Sequence, residues 1–394
     1  MTTECQPPSA GPRTATPERP LAAWAPIVAL ALGIAILVAS EFLPASVLPT
    51  MAADLGVSEG VAGLAVAATA LAGALTAPTI AVLLPRTDRR VVLIGLLVAA
   101  ALSNLVVAVA PSFAVLLVGR LILGAAIAGY WSFAFGAGTA AVPGRDHVVS
   151  ASLSVGVSLA TIVAVPVASA AGDVAGWRVV FLVAAGFAAV ATVIVIMTLP
   201  SVTPHPSAGL SMLRRALANR RLLAGVGCIV LVAFGNFAAY PYIRLAIERI
   251  VPGGGWWLLL VWGAGGLVGN LAAGALTRRL RVAVVAAPVL LGLGLGLTMI
   301  ASGPVLLVVG VVLWGVGFNM VPVATQLWVT RVEPERAESA LSLQVTAFQV
   351  AITLGSAVGG AVLDRSSVGV VLLLGAALAF ASGIGFLLLR SARV

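Results

Sequence analysis

The chain has 394 residues, of which 9% are charged and 61% hydrophobic, against about a quarter charged in a typical soluble domain. That poverty of charge excludes an ordinary water-soluble globular surface. The formal net charge of +9 is scattered in short clusters between apolar runs, so it reads as a topology signal and not as a nucleic-acid footprint.

Residues 1–20 are rich in Pro, Thr and Ser and read as a disordered tail. The apolar run from Leu21 to Ala39 is long enough to remain as a first span and does not read as a cleavable signal. Charges and Gly/Pro breaks then predict spans at 21–43, 60–84, 91–110, 113–141, 147–171 and 178–199, and at 222–247, 256–277, 282–301, 304–330, 338–363 and 367–389. Each approaches or exceeds the roughly 20 residues a helix needs to cross hydrocarbon. The uncharged stretch between Arg281 and Arg331 is too long for one helix, and Ser302-Gly303-Pro304 supplies the break. The expected architecture is an all-α membrane protein of about twelve transmembrane helices in two six-helix bundles. The bundles cover 21–199 and 222–394 and are joined by a polar linker over 200–221 that carries Pro204, Pro206 and four arginines.

A cytoplasmic N-terminus puts Arg13, Arg19, Arg86, Arg89, Arg90, Arg145, Arg214, Arg215, Arg220 and Arg221 on one side. Arg278, Arg279, Arg281, Arg331, Arg336, Arg390 and Arg393 fall there too, while the other side holds Arg178, Arg244, Arg249 and Arg365. Positive charge collects on the cytoplasmic face, so both termini are expected inside. An Arg-rich turn after the second helix of each half, Arg86–Arg90 and Arg278–Arg281, hints at an internal repeat, as secondary carriers often have.

All 22 basic residues are arginine, which excludes a lysine Schiff base. Cys5 and Cys228 give no disulfide framework or metal site, and no phosphate-binding loop, nucleophile elbow, zinc-ligand pair or dinucleotide fingerprint occurs. No cofactor is expected, nor an enzymatic activity. His147 and His205 are expected in solvated loops.

An ionisable group within a span costs about 2.5–3.5 kcal/mol on insertion scales, so one that stays usually meets a cavity or a partner. Glu41, late in the first span, is the proton-coupling candidate. Arg120 in the fourth span must find an acceptor inside the protein, where it can tune a carboxylate or bind solute. For Arg244, next to Glu248 and Arg249 near a span end, snorkelling is expected. Tyr130, Trp131, Asn236, Tyr240, Asn319, Gln326, Trp328, Gln344 and Gln349 are the substrate-binding candidates, since aromatic faces with amide groups suit a flat heterocycle. For each of these alone, helix–helix hydrogen bonding is an equal reading.

At this point the sequence resembles the major facilitator superfamily. Gly176-Trp177-Arg178-Val179-Val180-Phe181 looks like its signature at the start of the sixth helix, and Arg120 with Gly124 like its fourth-helix arginine motif. Glu41-Phe42-Leu43-Pro44, Asp88-Arg89-Arg90, Gly129-Tyr130-Trp131, Val321-Pro322-Val323 and Trp328-Val329-Thr330-Arg331 are similar to the drug:proton antiporter branch, in particular its purine ribonucleoside efflux pumps. Leu343-Gln344-Val345, Gln349 and Gly359-Gly360-Ala361-Val362-Leu363-Asp364 extend that similarity. Ala81 and Pro85 stand where the superfamily loop usually has Gly and Asp, and of the fifth-helix antiporter motif only Pro166 remains.

The resemblance implies proton-driven export of a small solute by alternating access, from a pocket between the bundles. Arg89, Arg90, Gly176, Trp177 and Arg178 are the gating and loop-motif candidates. The implied partners are the solute, a proton and the lipid bilayer, and the implied setting is a multi-pass monomer in a bacterial inner membrane. Import, multidrug or sugar export, and a non-transporting sensor of the same fold are the alternatives.

Overall fold

The computed structural model describes residues 20–203, 219–253 and 255–389. The predicted tail, all but its last residue, lies outside the described residues, as do Cys5, His205 and the middle of the predicted linker. Eleven stretches among the described residues are long and apolar enough to cross a membrane, and one of them, Trp256–Ile300, holds two helices separated by the 3₁₀ turn Leu276–Arg279.

Twelve crossings result. We label them α1 (Pro20–Ser46), α2 (Leu64–Leu83, after the short helix Glu59–Ala62), α3 (Arg89–Ala108) and α4 (Phe113–Ala141). Next come α5 (Asp146–Leu159, continued through Ala160–Ala164 into Val165–Ala175), α6 (Trp177–Thr198) and α7 (Arg220–Ala239, continued through Tyr240–Tyr242 into Ile243–Glu248). The rest are α8 (Trp256–Ala275), α9 (Leu280–Ile300), α10 (Pro304–Val332), α11 (Ala337–Arg365) and α12 (Val368–Leu388). The break predicted at Ser302-Gly303-Pro304 separates α9 from α10, with Gly303 extended and Pro304 in the first turn, where its missing N–H costs nothing. His147, expected in a loop, lies in the first turn of α5, because that helix begins at Asp146.

In the first half α2 packs on α4, α3 on α4 and α6, and α1 on α5 and α6. In the second half α8 packs on α10, α9 on α10 and α12, and α7 on α11 and α12. The two sets of pairings match when shifted by six helices. The repeat hinted at by two Arg-rich turns is therefore a repeat of packing. The halves meet where α2 lies on α11, α5 on α8, and α1 on the end of α7.

Small residues permit these approaches. Side chains added at Gly265 and Gly269 of α8 would run into the α10 backbone, and at Gly355 and Gly359 of α11 into the α7 backbone. Large apolar residues are exposed along the spans, as with Phe187, Val190, Val193 and Met197 of α6. Such a face is stable against lipid and not against water.

Prolines shape the crossings that matter most. Pro166 has no N–H for the turn before it, and there α5 widens into the π turn Ala160–Ala164. Gly263 of α8 lies directly on that turn, at Ile162 and the Thr161 carbonyl. Pro241 interrupts α7 as the 3₁₀ turn Tyr240–Tyr242, which gives the two tyrosines different directions.

At the end of the molecule where α1 begins and α12 finishes, the helical termini, Asp88 caps α3. Its carboxylate accepts from the Arg90 backbone N–H at 2.8 Å, from the Val202 N–H at 3.0 Å and from the Ser201 hydroxyl. These bonds tie the α2–α3 turn to the segment after α6. The Ser201 hydroxyl, then the backbone N–H groups and the nearby Arg90 charge, hold the Asp88 carboxyl below the usual carboxylate range. A carboxyl depressed in the folded state adds stability above its unfolded value of about 4, and that stability is lost as the pH falls through the folded value. Thermal unfolding in detergent is thus expected to show an acid-side loss below about pH 4 that is smaller in Asp88→Asn. Identical acid profiles would contradict this assignment.

Candidate functional site

Arg120 of α4 has no exposed surface. Its guanidinium donates to the carbonyls of Ser40 (2.7 Å) and Glu41 (2.8 Å) on α1 and of Ala65 (3.1 Å) on α2. The Ser40 carbonyl is available for a covalent reason. The residue four positions on is Pro44, inside the helix, and it has no N–H to donate. Asn104 of α3 donates to the Ser40 hydroxyl at 2.9 Å, so one turn of α1 is clamped from two sides. Gly124, one turn beyond Arg120, lets α4 lie directly on the Thr69 carbonyl of α2. Arg120 is thus a cross-brace of three helices and does not reach headgroups.

Glu41 is half-buried at the same level, with its carboxyl in Coulombic range of Arg120 and of Tyr240 from the other half. Phe42 meets Tyr240 edge-on at 5.2 Å. From there an aromatic cluster fills the start of the second bundle. Tyr240 lies 5.0 Å from Trp262 of α8 and 6.4 Å from Phe318 of α10, and Phe237 meets both Tyr240 and Phe318 edge-on. Asn236, one turn before Tyr240, accepts from the Trp314 indole N–H at 2.8 Å. The Asn236 amide nitrogen, the Tyr240 hydroxyl and the Trp262 indole nitrogen are all buried with no hydrogen-bond partner among the described residues. Native interiors pair most such groups, and these three lie in the aromatic cluster or one turn from it.

The structure brings Glu41 and Arg120 together with Tyr240, and Asn236 lies one turn before Tyr240 on α7; Asn319, next to Phe318 on α10, donates its amide to the Gly315 carbonyl at 3.1 Å and lies over Gly266 of α8. The other substrate candidates lie elsewhere. The Tyr130 hydroxyl donates to the Leu30 carbonyl at 3.2 Å, packing α4 on α1. Trp328 meets Phe386 edge-on at 5.6 Å and covers Gly225, deep in the second bundle. Gln344 donates to the Thr325 hydroxyl at 2.8 Å, joining α11 to α10. Gln349 reaches over Gly73 of α2 from α11, and Gln326 is exposed. Trp131 is 48% exposed, yet it follows Arg120 by three helical turns on the same stripe.

The loop-motif residues divide between the two ends. Arg89 donates to the Leu84 carbonyl at 2.8 Å and lies over the Phe133 ring, and Arg90 donates to the Ile196 carbonyl. At the opposite end Gly176 adopts φ +87, which favours glycine, and turns α5 into α6. Trp177 and Arg178 both bind the Asp54 carboxylate, and Arg178 also donates to the Ala110 carbonyl. These motifs brace the first bundle internally.

Arg244 departs from the expected snorkelling. It is 9% exposed and donates to Asp173 (2.9 Å), to the Ser169 hydroxyl (2.6 Å) and to Glu248. The preceding Tyr240–Tyr242 turn carries it between α5 and α1. Asp364 of α11 accepts from the Ser58 hydroxyl (2.6 Å) and the Gly60 N–H (3.0 Å), and the Tyr242 hydroxyl donates toward Gly60 and Ser356 carbonyls. Among the described residues, these side-chain hydrogen bonds between the halves all lie at the end opposite the termini.

Residues 30–332 match the family described as Major Facilitator Superfamily. This chain belongs to the Major Facilitator Superfamily. It is a transporter of that superfamily and a multi-pass membrane protein. Among its relatives, the protein called purine ribonucleoside efflux pump NepI from Salmonella paratyphi B is 36% identical over 349 residues, 87% of this chain and 88% of that one. The protein of the same name from Escherichia coli O6:K15:H31 is 36% identical over 348 residues with the same coverage. In fold, the nucleoside transporter NupG superposes with a TM-score of 0.74 at 13% identity, covering 91% of this chain and 98% of that one. A bacterial homolog of the human lysosomal transporter Spinster superposes with a TM-score of 0.71 at 15% identity, covering 96% of this chain and all of that one.

Sequence reading did not single out Trp262, Trp314, Phe237 or Phe318 as site residues, nor Asp173 as a partner of Arg244. A signal existed. Trp262 and Trp314 fall within spans and not at their ends, where tryptophan is usually enriched, and Trp314 and Phe318, like Asn236 and Tyr240, share a helix face at four-residue spacing.

Proposed function

We propose that this superfamily transporter exports a purine nucleoside or related drug in exchange for protons, by alternating access of two bodies near 21–199 and 222–394. The observation that carries the reading is the aromatic cluster of Tyr240, Trp262 and Phe318. It contains unpaired buried donors and lies against Glu41 and Phe42 of the other half. Flat faces with amide and hydroxyl edges fit a heterocycle with few charges, and the curated relatives are named for purine ribonucleoside efflux. Glu41 is the proton carrier of the proposal, and Arg120 sets its field. The arginine distribution supports both termini in the cytoplasm of a bacterium, with the protein in the inner membrane. On that orientation the bonds made by Arg244 and Asp364 close the outer side.

In proteoliposomes with an imposed pH gradient, Glu41→Gln is expected to lose uphill nucleoside flux at least about tenfold, the order a missing proton carrier implies, while retaining nucleoside exchange. Wild-type rates of transport and acidification in that variant would remove Glu41 from coupling. A strain overexpressing the protein is expected to resist 6-substituted purine analogues selectively. Resistance confined to bulky lipophilic cations would sink the nucleoside reading.

A further inference from the structure

We propose that Trp314 is a positioning residue which locks the Asn236 carboxamide with its amine edge turned into the aromatic cluster, so that the site presents donors and selects the acceptor edge of a heterocycle. The inference rests on the nucleoside reading above and adds to it a device that sets specificity.

The argument begins with valence. An indole nitrogen has a hydrogen to give and no lone pair to accept with, whereas a carboxamide has one accepting end and one donating end. The 2.8 Å bond from the Trp314 indole therefore fixes which end of Asn236 it meets: the carbonyl oxygen. The amine end has to point the other way, and there it has no partner. Were Trp314 a residue with a lone pair at that position, the amide could turn over at little cost. Both side chains are fully buried, so water does not compete for the bond.

Two further unpaired groups lie in the aromatic cluster that begins one turn after Asn236. The Trp262 indole N–H, again donor-only, and the Tyr240 hydroxyl are likewise buried and unpaired. Trp262 and Tyr240 lie ring to ring at 5.0 Å, and Tyr240 follows Asn236 by one turn of the same helix. Each buried donor without an acceptor is costly, and the cost is recovered when a ligand brings acceptors in the right place. A purine with a carbonyl at C6 presents two neighbouring acceptors, O6 and N7. A purine with an amine at C6 places a donor against a donor. Sites built to hydrogen-bond a substrate reject the mismatched analogue far more strongly than apolar pockets do.

The experiment measures binding of inosine and adenosine to the purified full-length protein in detergent by calorimetry, followed by transport in proteoliposomes. Wild type is expected to prefer inosine at least about tenfold, the scale of one mispaired buried hydrogen bond. Trp314→Phe keeps an aromatic ring but removes the N–H, and is expected to bring that preference close to one through KM, with Vmax changed alike for both nucleosides. A purely structural role for Trp314 would lower both fluxes and leave the ratio intact, and that result overturns the proposal. Asn236→Leu is a second reading that does not depend on the folding of Trp314→Phe. It is expected to weaken inosine about tenfold with little effect on adenosine, and retention of the wild-type preference there also overturns the proposal. If wild type binds neither nucleoside, the substrate reading itself fails and this inference falls with it. If it binds both without preference, only the inference falls.

Discussion

Arg120→Ala is expected to abolish transport and to lower the stability of the protein by about 3–5 kcal/mol, the range for stripping one partner from a buried charged network. The loss has identifiable parts. The Glu41 and Ala65 carbonyls lie within helices that supply them with donors, but Pro44 leaves the Ser40 carbonyl dependent on Arg120. Removing the guanidinium strands that carbonyl in a dry interior, at about 1–3 kcal/mol, and takes away the cation that faces Glu41. Lysine is expected to rescue little, because a single ammonium does not reproduce the planar fork that reaches two helices at once. Pro44→Ala supplies the missing N–H. In a double-mutant cycle read by thermal unfolding in detergent, Arg120→Ala should cost about 1 kcal/mol less on the Pro44→Ala background. Equal costs on both backgrounds would show that the proline-freed carbonyl is not what Arg120 holds.

The same pair of residues shows what the sequence discloses. Arg120 in a hydrophobic run announces that it needs acceptors, and Pro44 four residues after Ser40 announces an acceptor in need of a donor. Nothing in the order of residues says that one meets the other. That meeting is set by α4 lying on α2 at Gly124 and beside α1, which is long-range packing. The spans themselves were legible because hydrocarbon imposes a length and a composition on each one, and the Ser302-Gly303-Pro304 break fell where the excess length required it.

The site was legible only in part. Asn236 and Tyr240 stood out as polar groups in an apolar segment, whereas Trp262, Trp314 and Phe318 are apolar enough to pass as core. Their role comes from converging on one place from α8 and α10. Trp328 and Gln344 looked equally suitable by type, but α10 turns Trp328 toward α7 and α12, and Thr325 occupies Gln344. Arg244 misled for a different reason. Its charged neighbours Glu248 and Arg249 suggest a span end, but the turn at Pro241 carries it inward to Asp173, which is 71 residues distant in the chain.

That displacement of Arg244 underlies the second large effect. Arg244→Ala is expected to open the end opposite the termini, because one guanidinium there holds Ser169 and Asp173 of the first half together with Glu248 of the second. Breaking a buried charged pair costs about 3–5 kcal/mol, and the carboxylates of Asp173 and Glu248 are 33% and 29% exposed, so solvent recovers part of it. A remainder of about 3 kcal/mol shifts a two-state equilibrium by about a hundredfold. Spin labels at Ala53 and Ser366, both exposed near that end, should report a longer inter-label distance in Arg244→Ala than in wild type.

Asp364→Ala should act in the same direction and less strongly, since it removes the acceptor of the Ser58 hydroxyl and Gly60 N–H but leaves the Arg244 cluster intact. Asp364→Asn should change little, because a carboxamide oxygen still accepts from Gly60. The order of the three variants separates a latch made of specific bonds from a general loosening by lost charge: in the second case Asp364→Asn would match Asp364→Ala, and the distances would track net charge and not the hydrogen bonds that remain.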